Sequence, residues 1–149
     1  MHGFYCLCRM PGASVDAQLK FAQSWMQAHI ADAEGTLGMP VVFTEFGVST
    51  KARSAFNATS RDRFIQAVYG LLLDSTRRGG AGAGALLWQV FPEGMEYMDD
   101  GYGIVLPKAK ATAGIMSVHS KRLVVFNSRC AWSCHWGCRK GGAAAVGGC

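Results

Sequence analysis

Glu45 and Trp88 are the two side chains whose type and position could do chemistry in this sequence. Glu45 follows the apolar run 41–43, where a carboxylate placed only for solubility is unexpected, and Trp88 lies near the end of a second apolar run, 81–91. Ligands of α/β proteins bind at the C-terminal ends of strands, where a carboxylate can act as an acid, a base or a nucleophile. The alternatives are a rim carboxylate paired with Lys or Arg, and an ordinary core aromatic.

Five elements would have to position these two residues. Apolar residues recur at helical spacing in 16–35 and 60–78, and a last helical stretch is predicted around 115–126. Two continuously apolar strands, 40–45 and 81–91, separate the helices. Helices alternating with apolar strands are typical of parallel strands covered by helices, so we predict an α/β fold with both strand ends in one mouth.

The predicted helix boundaries rest on capping residues. Asp16 is the expected N-cap of the first helix and Gly35 or Gly38 its stop, while Ser60 is the expected N-cap of the second. The predicted buried positions are Leu19, Ala22, Met26, Ile30, Ala33, Phe64, Ile65, Val68, Leu71 and Leu72. Two parallel strands leave both sheet edges unprotected, and sheets of this kind usually have five to eight strands. The chain therefore looks like the end of something larger.

The composition excludes several classes of protein. Half of the 149 residues are apolar, which indicates one domain with a core, and the net charge of +5 comes from scattered basic pairs rather than a basic stripe. A nucleic-acid partner is therefore not expected. Apolar runs are too short to cross a membrane, and the N-terminal segment lacks the charged start of a secretory signal. Asn57, Ala58 and Thr59, however, form an acceptor sequon for N-glycosylation, which matters only if the chain enters the secretory pathway.

Three long motifs resemble the C-terminal part of plant endo-β-1,4-mannanases of glycoside hydrolase family 5. They read MPVVFTEFGVSTK, STRRGGAGAGALLWQVFPEGMEYMDDGYGIVL and HSKRLVVFNSRCAWSCHWGCRK, and the similarity extends over about 13–140. The resemblance implies a (β/α)8 TIM barrel of which this chain carries strands seven and eight with flanking helices, an incomplete barrel. The expected divisions are an atypical N-terminal segment 1–13, a partial barrel 14–129 and a Cys-rich basic tail 130–149.

The resemblance also assigns roles to the two candidate residues. Glu45 matches the catalytic nucleophile at the end of strand seven, and Trp88 matches the tryptophan at the end of strand eight on which the sugar stacks. The implied activity is retaining hydrolysis of internal β-1,4 linkages in mannans, galactomannans and glucomannans, which uses two carboxyl groups about 5 to 5.5 Å apart. The implied partner is a mannan-type polysaccharide, the implied location is outside the cell, and no cofactor is expected.

The lack of a match for the family's second catalytic carboxylate is the main departure from the family pattern. The family's acid/base glutamate lies at the end of strand four, after an asparagine, and the sequence offers no match; His2 and Tyr5 do not take the places of the family's His and Tyr on strand six. Four acidic residues follow the second strand, and we expect them to solvate a loop or pair with basic residues: Glu93, Glu96, Asp99 and Asp100. The chain is thus expected to be inactive alone, or the product of a pseudogene.

The alternative function is a non-catalytic remnant that binds carbohydrate or a partner. Its candidate contacts are Trp88 and three aromatic residues of the following segment, Phe91, Tyr97 and Tyr102. Nothing in the sequence excludes this possibility.

The cysteine-rich tail contains Cys130, Cys134 and Cys138, with His135 among them. On a helix this i, i+4, i+8 spacing spans about 12 Å, which is too far for one ion to bind all three thiols. No metal site is therefore predicted. Similar tails occur in the plant mannanases, and disulfides are the expected state in a secreted protein. Cys6, Cys8 and Cys149 lie outside the resemblance and are not assigned.

Overall fold

The computed structural model describes residues 13–51 and 56–137, with side chains up to residue 129. The predicted alternation of helices and strands is confirmed. In chain order the elements are α1 (Val15–Asp32), a π-helical turn (Ala33–Leu37), β1 (Val41–Phe46), α2 (Ala58–Arg77), β2 (Gly82–Leu87), β3 (Val90–Phe91), a 3-10 turn (Glu96–Met98), β4 (Ile104–Val105) and α3 (Lys110–Gly137).

The two long N-terminal helices begin earlier than predicted because neighbouring residues cap them. Ser14, not Asp16, is the N-cap of α1, and its hydroxyl accepts a hydrogen bond from the Ala17 amide. Asn57, not Ser60, is the N-cap of α2. Ser60 instead completes a capping box with Asn57, because each side chain accepts a hydrogen bond from the other residue's backbone amide.

The C-terminal end of the first helical segment agrees with the prediction. Gly38, one of the two expected stops, has a left-handed backbone with φ of 60° and ends the π-helical turn. Its amide donates to the Ala33 carbonyl, which would otherwise be without a partner at the helix end.

Strands β1 and β2 pair in parallel, as expected for an α/β fold. The predicted second strand, 81–91, is divided, because the sheet pairing ends at Leu87 and residues 90–91 form β3. Strand β3 pairs in parallel with β4, so the described residues contain two small parallel sheets. Trp88 and Gln89 connect β2 to β3, and the Gln89 carbonyl accepts a hydrogen bond of 2.9 Å from the Ile104 amide of β4.

The core lies where the helical spacing predicted it. Ten residues were expected to be buried, and eight of them are less than 10% exposed: Ala22, Met26, Ile30, Ala33, Phe64, Ile65, Val68 and Leu72. Leu19 and Leu71 are partly buried against the same core. Phe43 and Phe46 of β1 complete it from the sheet side, and the edge of the Tyr69 ring packs on Phe46 at 5.6 Å between centroids. The helices thereby hold β1 in a fixed position.

Helix α3 begins at Lys110, five residues before the predicted start, and continues to Gly137. Its first turn is attached to α2 by a buried polar network. The Thr112 hydroxyl donates to Asp62 Oδ1 at 2.6 Å and accepts from Arg61 Nη2 at 3.1 Å. The helix passes the expected division at residue 130 without a break, so the division of the chain into 1–13, 14–129 and 130–149 stays a prediction. Within the described segments, no helix is long and apolar enough to cross a membrane.

Candidate functional site

The C-terminal ends of β1 and β2 lie side by side. Phe46 pairs with Leu87, and the Trp88 amide donates a hydrogen bond of 2.8 Å to the Phe46 carbonyl. Glu45 immediately precedes this contact on one strand, and Trp88 forms it on the other. The backbone therefore brings the two residues predicted from the sequence to the same end of one parallel pair.

The pairing of β1 with β2 is irregular just before the strand end. From Phe43 to Phe46 strand β1 advances three residues, whereas β2 advances two, from Ala85 to Leu87. The extra residue on β1 is a bulge, which allows Phe43 and Phe46 both to be buried in the core. Glu45 lies within the bulge and stays partly exposed. Regular alternation would have placed Glu45 on the same face as Phe43.

Glu45 and Trp88 are both accessible to a ligand. No ion pair within the described segments involves Glu45, so the structure does not support a rim carboxylate held by a Lys or Arg. Trp88 is 36% exposed, which excludes the alternative of an ordinary core aromatic. A carboxylate and an indole at one strand end can together orient a ligand ring and attack it or transfer a proton to it.

Gly47 allows the two strand ends to approach closely. A β-carbon at this position would lie 2.2 Å from the Trp88 carbonyl oxygen and 3.3 Å from Cδ1 of Tyr102. Real β-carbons do not tolerate the first contact, so any larger residue would displace the backbone of Trp88. The sequence analysis singled out Glu45 but not the need for glycine at position 47; the Phe46-Gly47 dipeptide after an apolar strand was the available signal.

The loops that follow β1 and β2 are bound to each other. The Thr50 amide donates to the Gly101 carbonyl at 2.9 Å, and Lys51 Nζ lies 2.9 Å from Asp99 Oδ2. Gly101 has φ of 102°, and a β-carbon there would lie 2.4 Å from the Ser49 hydroxyl. These contacts place the loop after Glu45 against the loop after Trp88. Sequence reasoning missed them, although the run Asp99, Asp100, Gly101 is typical of a tight turn.

Two of the four loop carboxylates, Asp99 and Glu96, form the predicted pairs with basic residues. Asp99 Oδ1 accepts hydrogen bonds from the Gly101 and Gly103 amides, and the hydrogen bond from Lys51 is the largest of the effects that hold the pKa of Asp99 below its usual range. Lys108 donates to Glu96 and likewise lowers the pKa of that carboxyl.

Asp100 is engaged by the backbone of its own loop, because it accepts from the Tyr102 amide at 3.1 Å. The three engaged groups are therefore occupied by contacts within and between the loops, and none is a ready second carboxylate for Glu45.

The aromatic residues named for the alternative function differ in exposure. Tyr97 is 80% exposed, whereas Phe91 is only 8% exposed and packs in the interior. Phe91 as a ligand contact is therefore wrong, because its ring faces the backbone of Gly103, whose β-carbon it would meet at 2.9 Å. Tyr102 is half-buried beside Gly47. Trp88 and Tyr97 remain as exposed rings.

A metal site would require ligands that converge. Within residues 13–51 and 56–129, no group of three His, Cys, Asp or Glu side chains is arranged to hold a metal ion. The side chains of Cys130, Cys134 and His135 lie outside the described side chains, as do Cys138 and the N-terminal cysteines. The expectations about disulfides and metal in the tail therefore stay predictions.

The chain is similar to plant mannan endo-1,4-beta-mannosidases. It is 74% identical over 131 residues to "Putative mannan endo-1,4-beta-mannosidase 5" of Oryza sativa subsp. japonica, covering 87% of this chain and 27% of that protein. It is 43% identical over 114 residues to mannan endo-1,4-beta-mannosidase 8 of the same species, and 36% identical over 115 residues to mannan endo-1,4-beta-mannosidase 7 of Arabidopsis thaliana, covering 76% and 77% of this chain.

These matches confirm the resemblance inferred from the three motifs. The chain spans 27%, 30% and 26% of the length of the three relatives, respectively. No protein-family model matches the chain.

Proposed function

We propose that this sequence relative of the plant mannan endo-1,4-beta-mannosidases carries the nucleophile and the sugar-stacking tryptophan of a retaining β-mannan hydrolase. Glu45 is the proposed nucleophile and Trp88 the proposed platform. The observation that carries the proposal is the hydrogen bond from the Trp88 amide to the Phe46 carbonyl, because it fixes the two residues at adjacent strand ends.

The proposed chemistry follows from the two side chains. The Glu45 carboxylate attacks the anomeric carbon of a mannosyl unit while an acid protonates the leaving oxygen, and water then releases the covalent intermediate with the same acid acting as base. The Trp88 indole lies against the C–H side of the pyranose ring and orients it without competing for its hydroxyl groups. No ion pair within the described segments involves the Glu45 carboxylate, so no basic side chain there competes with its attack.

The proposed fold is that of glycoside hydrolase family 5, a (β/α)8 barrel, with β1 and β2 as its seventh and eighth strands. The parallel pairing of β1 with β2 and the helices packed on one face support this assignment. The opposite face is apolar and open, since Val42 is 45% exposed and Leu86 59% exposed. In a closed barrel this face would be covered by side chains of the other strands.

The second carboxylate is proposed to come from a part of the barrel that this chain does not supply. Glu96, Asp99 and Asp100 are engaged by Lys108, Lys51 and the Tyr102 amide, and none is free to act as the acid. General acid catalysis contributes typically 10²- to 10⁴-fold, so the chain alone should not hydrolyse mannan measurably.

A chimera tests the proposed roles directly. This chain would replace the corresponding segment of the rice relative that is 43% identical, which supplies the rest of its own sequence. We expect the chimera to release reducing sugar from galactomannan, Glu45→Gln to abolish release, and Trp88→Ala to raise KM and lower kcat. Glu93→Gln, at an exposed loop carboxylate, is the matched control and should retain activity. An active Glu45→Gln chimera would refute the proposal.

A non-catalytic role in carbohydrate binding is the second candidate, and the exposed rings of Trp88 and Tyr97 favour it. The isolated chain distinguishes the two. Binding of mannohexaose by the isolated chain, lost in Trp88→Ala and accompanied by an inactive chimera, would favour the binding role. An active chimera would favour the hydrolase.

Secretion and glycosylation are part of the same proposal. Asn57 is exposed at the start of α2, and its Oδ1 is used by the Ser60 amide, which leaves the Nδ2 amide for a glycan. We propose that Asn57 is glycosylated when the chain passes through the secretory pathway. Expression behind a secretion signal in plant cells, followed by endoglycosidase treatment, should give a mobility shift. Asn57→Asp should abolish this shift, whereas the control Thr59→Ser keeps the acceptor sequon and should retain it.

A further inference from the structure

A cavity lies between α2 and α3, on the helix layer. It has a volume of about 310 Å³ and is lined by polar side chains and by two glycines. Gln66 and Tyr69 are three residues apart on α2, and His119 and Arg122 are three residues apart on α3, so each pair occupies one helix face. Two helices thus present four polar side chains to one groove.

The two helices meet at a pair of stacked rings. The Tyr69 and His119 rings are 4.1 Å apart between centroids and inclined by only 3°. Tyr69 is 9% exposed and His119 is half-buried, and neither the hydroxyl nor the imidazole forms a hydrogen bond with another described residue. Neither group belongs to the described buried polar atoms that have no partner, so both are open to water and to a ligand in the groove.

The charge of the groove is of one sign. Its charged and titratable side chains are Tyr69 from α2 and His119 and Arg122 from α3, and no carboxylate lines it. Arg122 forms no ion pair within the described segments. Hydroxyl, imidazole, guanidinium and amide groups together can donate several hydrogen bonds to an oxyanion, and a guanidinium binds carboxylate or phosphate in bidentate geometry.

The rest of the groove can hold an apolar body. Leu73 and Ile115 contribute apolar walls, and Gly70 and Gly114 leave space where other residues would place side chains. A β-carbon at either glycine would meet no atom within 4 Å. The volume therefore exceeds what a bare inorganic ion would occupy.

We propose that the groove between α2 and α3 binds a small organic oxyanion, a carboxylate or a phosphate attached to an apolar body. The proposal concerns the helix layer and is independent of the hydrolytic site at the strand ends. Burial, and then the charge of Arg122, hold the pKa of His119 below its usual range. A bound anion would offset both effects and raise that pKa.

NMR titration of the full chain tests the proposal. Benzoate and phenyl phosphate are the probes, and benzyl alcohol is the neutral analogue of similar shape. We expect saturable shifts of the His119 ring signals with at least one anion, a rise in the His119 pKa on saturation, and no such rise with benzyl alcohol. Whichever probe binds more tightly identifies the preferred head group.

Three variants test whether anion binding depends on the groove and not on the overall charge of the chain. Arg122→Gln should weaken binding about tenfold or more, as the loss of a hydrogen bond to a charged group does. Lys121→Gln is the matched control, because Lys121 is exposed and does not line the groove. Gly114→Leu should fold at least as well as the parent, since leucine favours a helix, and should abolish binding by filling the groove.

Three outcomes would overturn the proposal. The first is binding of benzyl alcohol as tight as that of the anions, which would make the groove merely apolar. The second is unchanged anion binding in Arg122→Gln or Gly114→Leu. The third is the absence of saturable shifts in the parent chain. Glu45→Gln should leave binding unchanged, which separates this result from that of the hydrolytic site.

Discussion

Replacing Thr112 by valine should destabilise the chain far more than its small change in shape suggests. Thr112 is 1% exposed and connects Asp62 to Arg61 across the contact between α2 and α3. Valine has nearly the same shape, so no large cavity forms. It removes both hydrogen bonds, however, and leaves charged groups without them in a buried position.

The magnitude follows from the burial of the two partners. Each lost hydrogen bond involves a charged group and is worth about 1.5 to 3 kcal/mol. The side chains of Arg61 and Asp62 are only 10% and 15% exposed, and Arg61 Nε already has no hydrogen-bond partner, so water can replace little of the loss. Since Asp62 keeps its ion pair with Arg61 at 3.6 Å, we expect a total cost of about 3 kcal/mol.

Thr112→Ser is the matched control because it keeps the hydroxyl and removes only a methyl group, at a cost of about 1 kcal/mol. Urea unfolding at one fixed protein concentration, followed by circular dichroism, would compare the variants. The midpoint of Thr112→Val should fall by roughly 1 to 2 M relative to the parent. If Thr112→Val is no less stable than Thr112→Ser, the network does not hold α3 to α2 and the reasoning fails.

Three further predictions concern the strand ends and their loops. Gly47→Ala would push the Trp88 backbone out of place and should lower kcat of the chimera about 100-fold, whereas an unchanged kcat would contradict the close approach. Asp99, whose pKa is lowered chiefly by Lys51, should stabilise the chain above the ordinary aspartate pKa of about 3.9. This stabilisation should be lost as the pH falls through the lowered pKa of Asp99. The difference in urea midpoint between the parent and Asp99→Asn should therefore shrink as the pH is lowered. A difference that does not depend on pH would refute the role of Lys51. The open sheet face should make the isolated chain associate, and Leu86→Lys should reduce association in light scattering; a monomeric parent at high concentration would contradict this.

The parts of the fold that follow from periodicity could be predicted from the sequence. The apolar spacing in α1 and α2 indicated the buried faces, because a helix that packs on a core must place apolar residues every three or four positions. The parallel pairing of β1 with β2 followed from their continuous apolar character. Glu45 was recognisable as a candidate site residue because a carboxylate is unexpected directly after a run of apolar strand residues.

Other features could not be predicted because they depend on contacts between distant residues. Thr112 lies before the predicted helical stretch around 115–126, and nothing local indicates that it bridges Arg61 and Asp62, which lie about fifty positions away. The bulge in β1 arises from a mismatch between two strands and has no local signal. The caps were misassigned by two or three residues because Ser14 and Asp16, like Asn57 and Ser60, are all good N-cap residues, and only tertiary packing selects between them.

The union of the two loops through Lys51 and Asp99 has a consequence for how a sugar would be received. In the proposed hydrolase, the contacts between the segment behind Glu45 and the segment behind Trp88 would restrict their separate movement when a ring settles against Trp88. The entropy needed to align the proposed nucleophile and the proposed platform would then be lost during folding and not at each encounter with substrate. Separating the two segments should reduce turnover even where no residue that touches the sugar has changed.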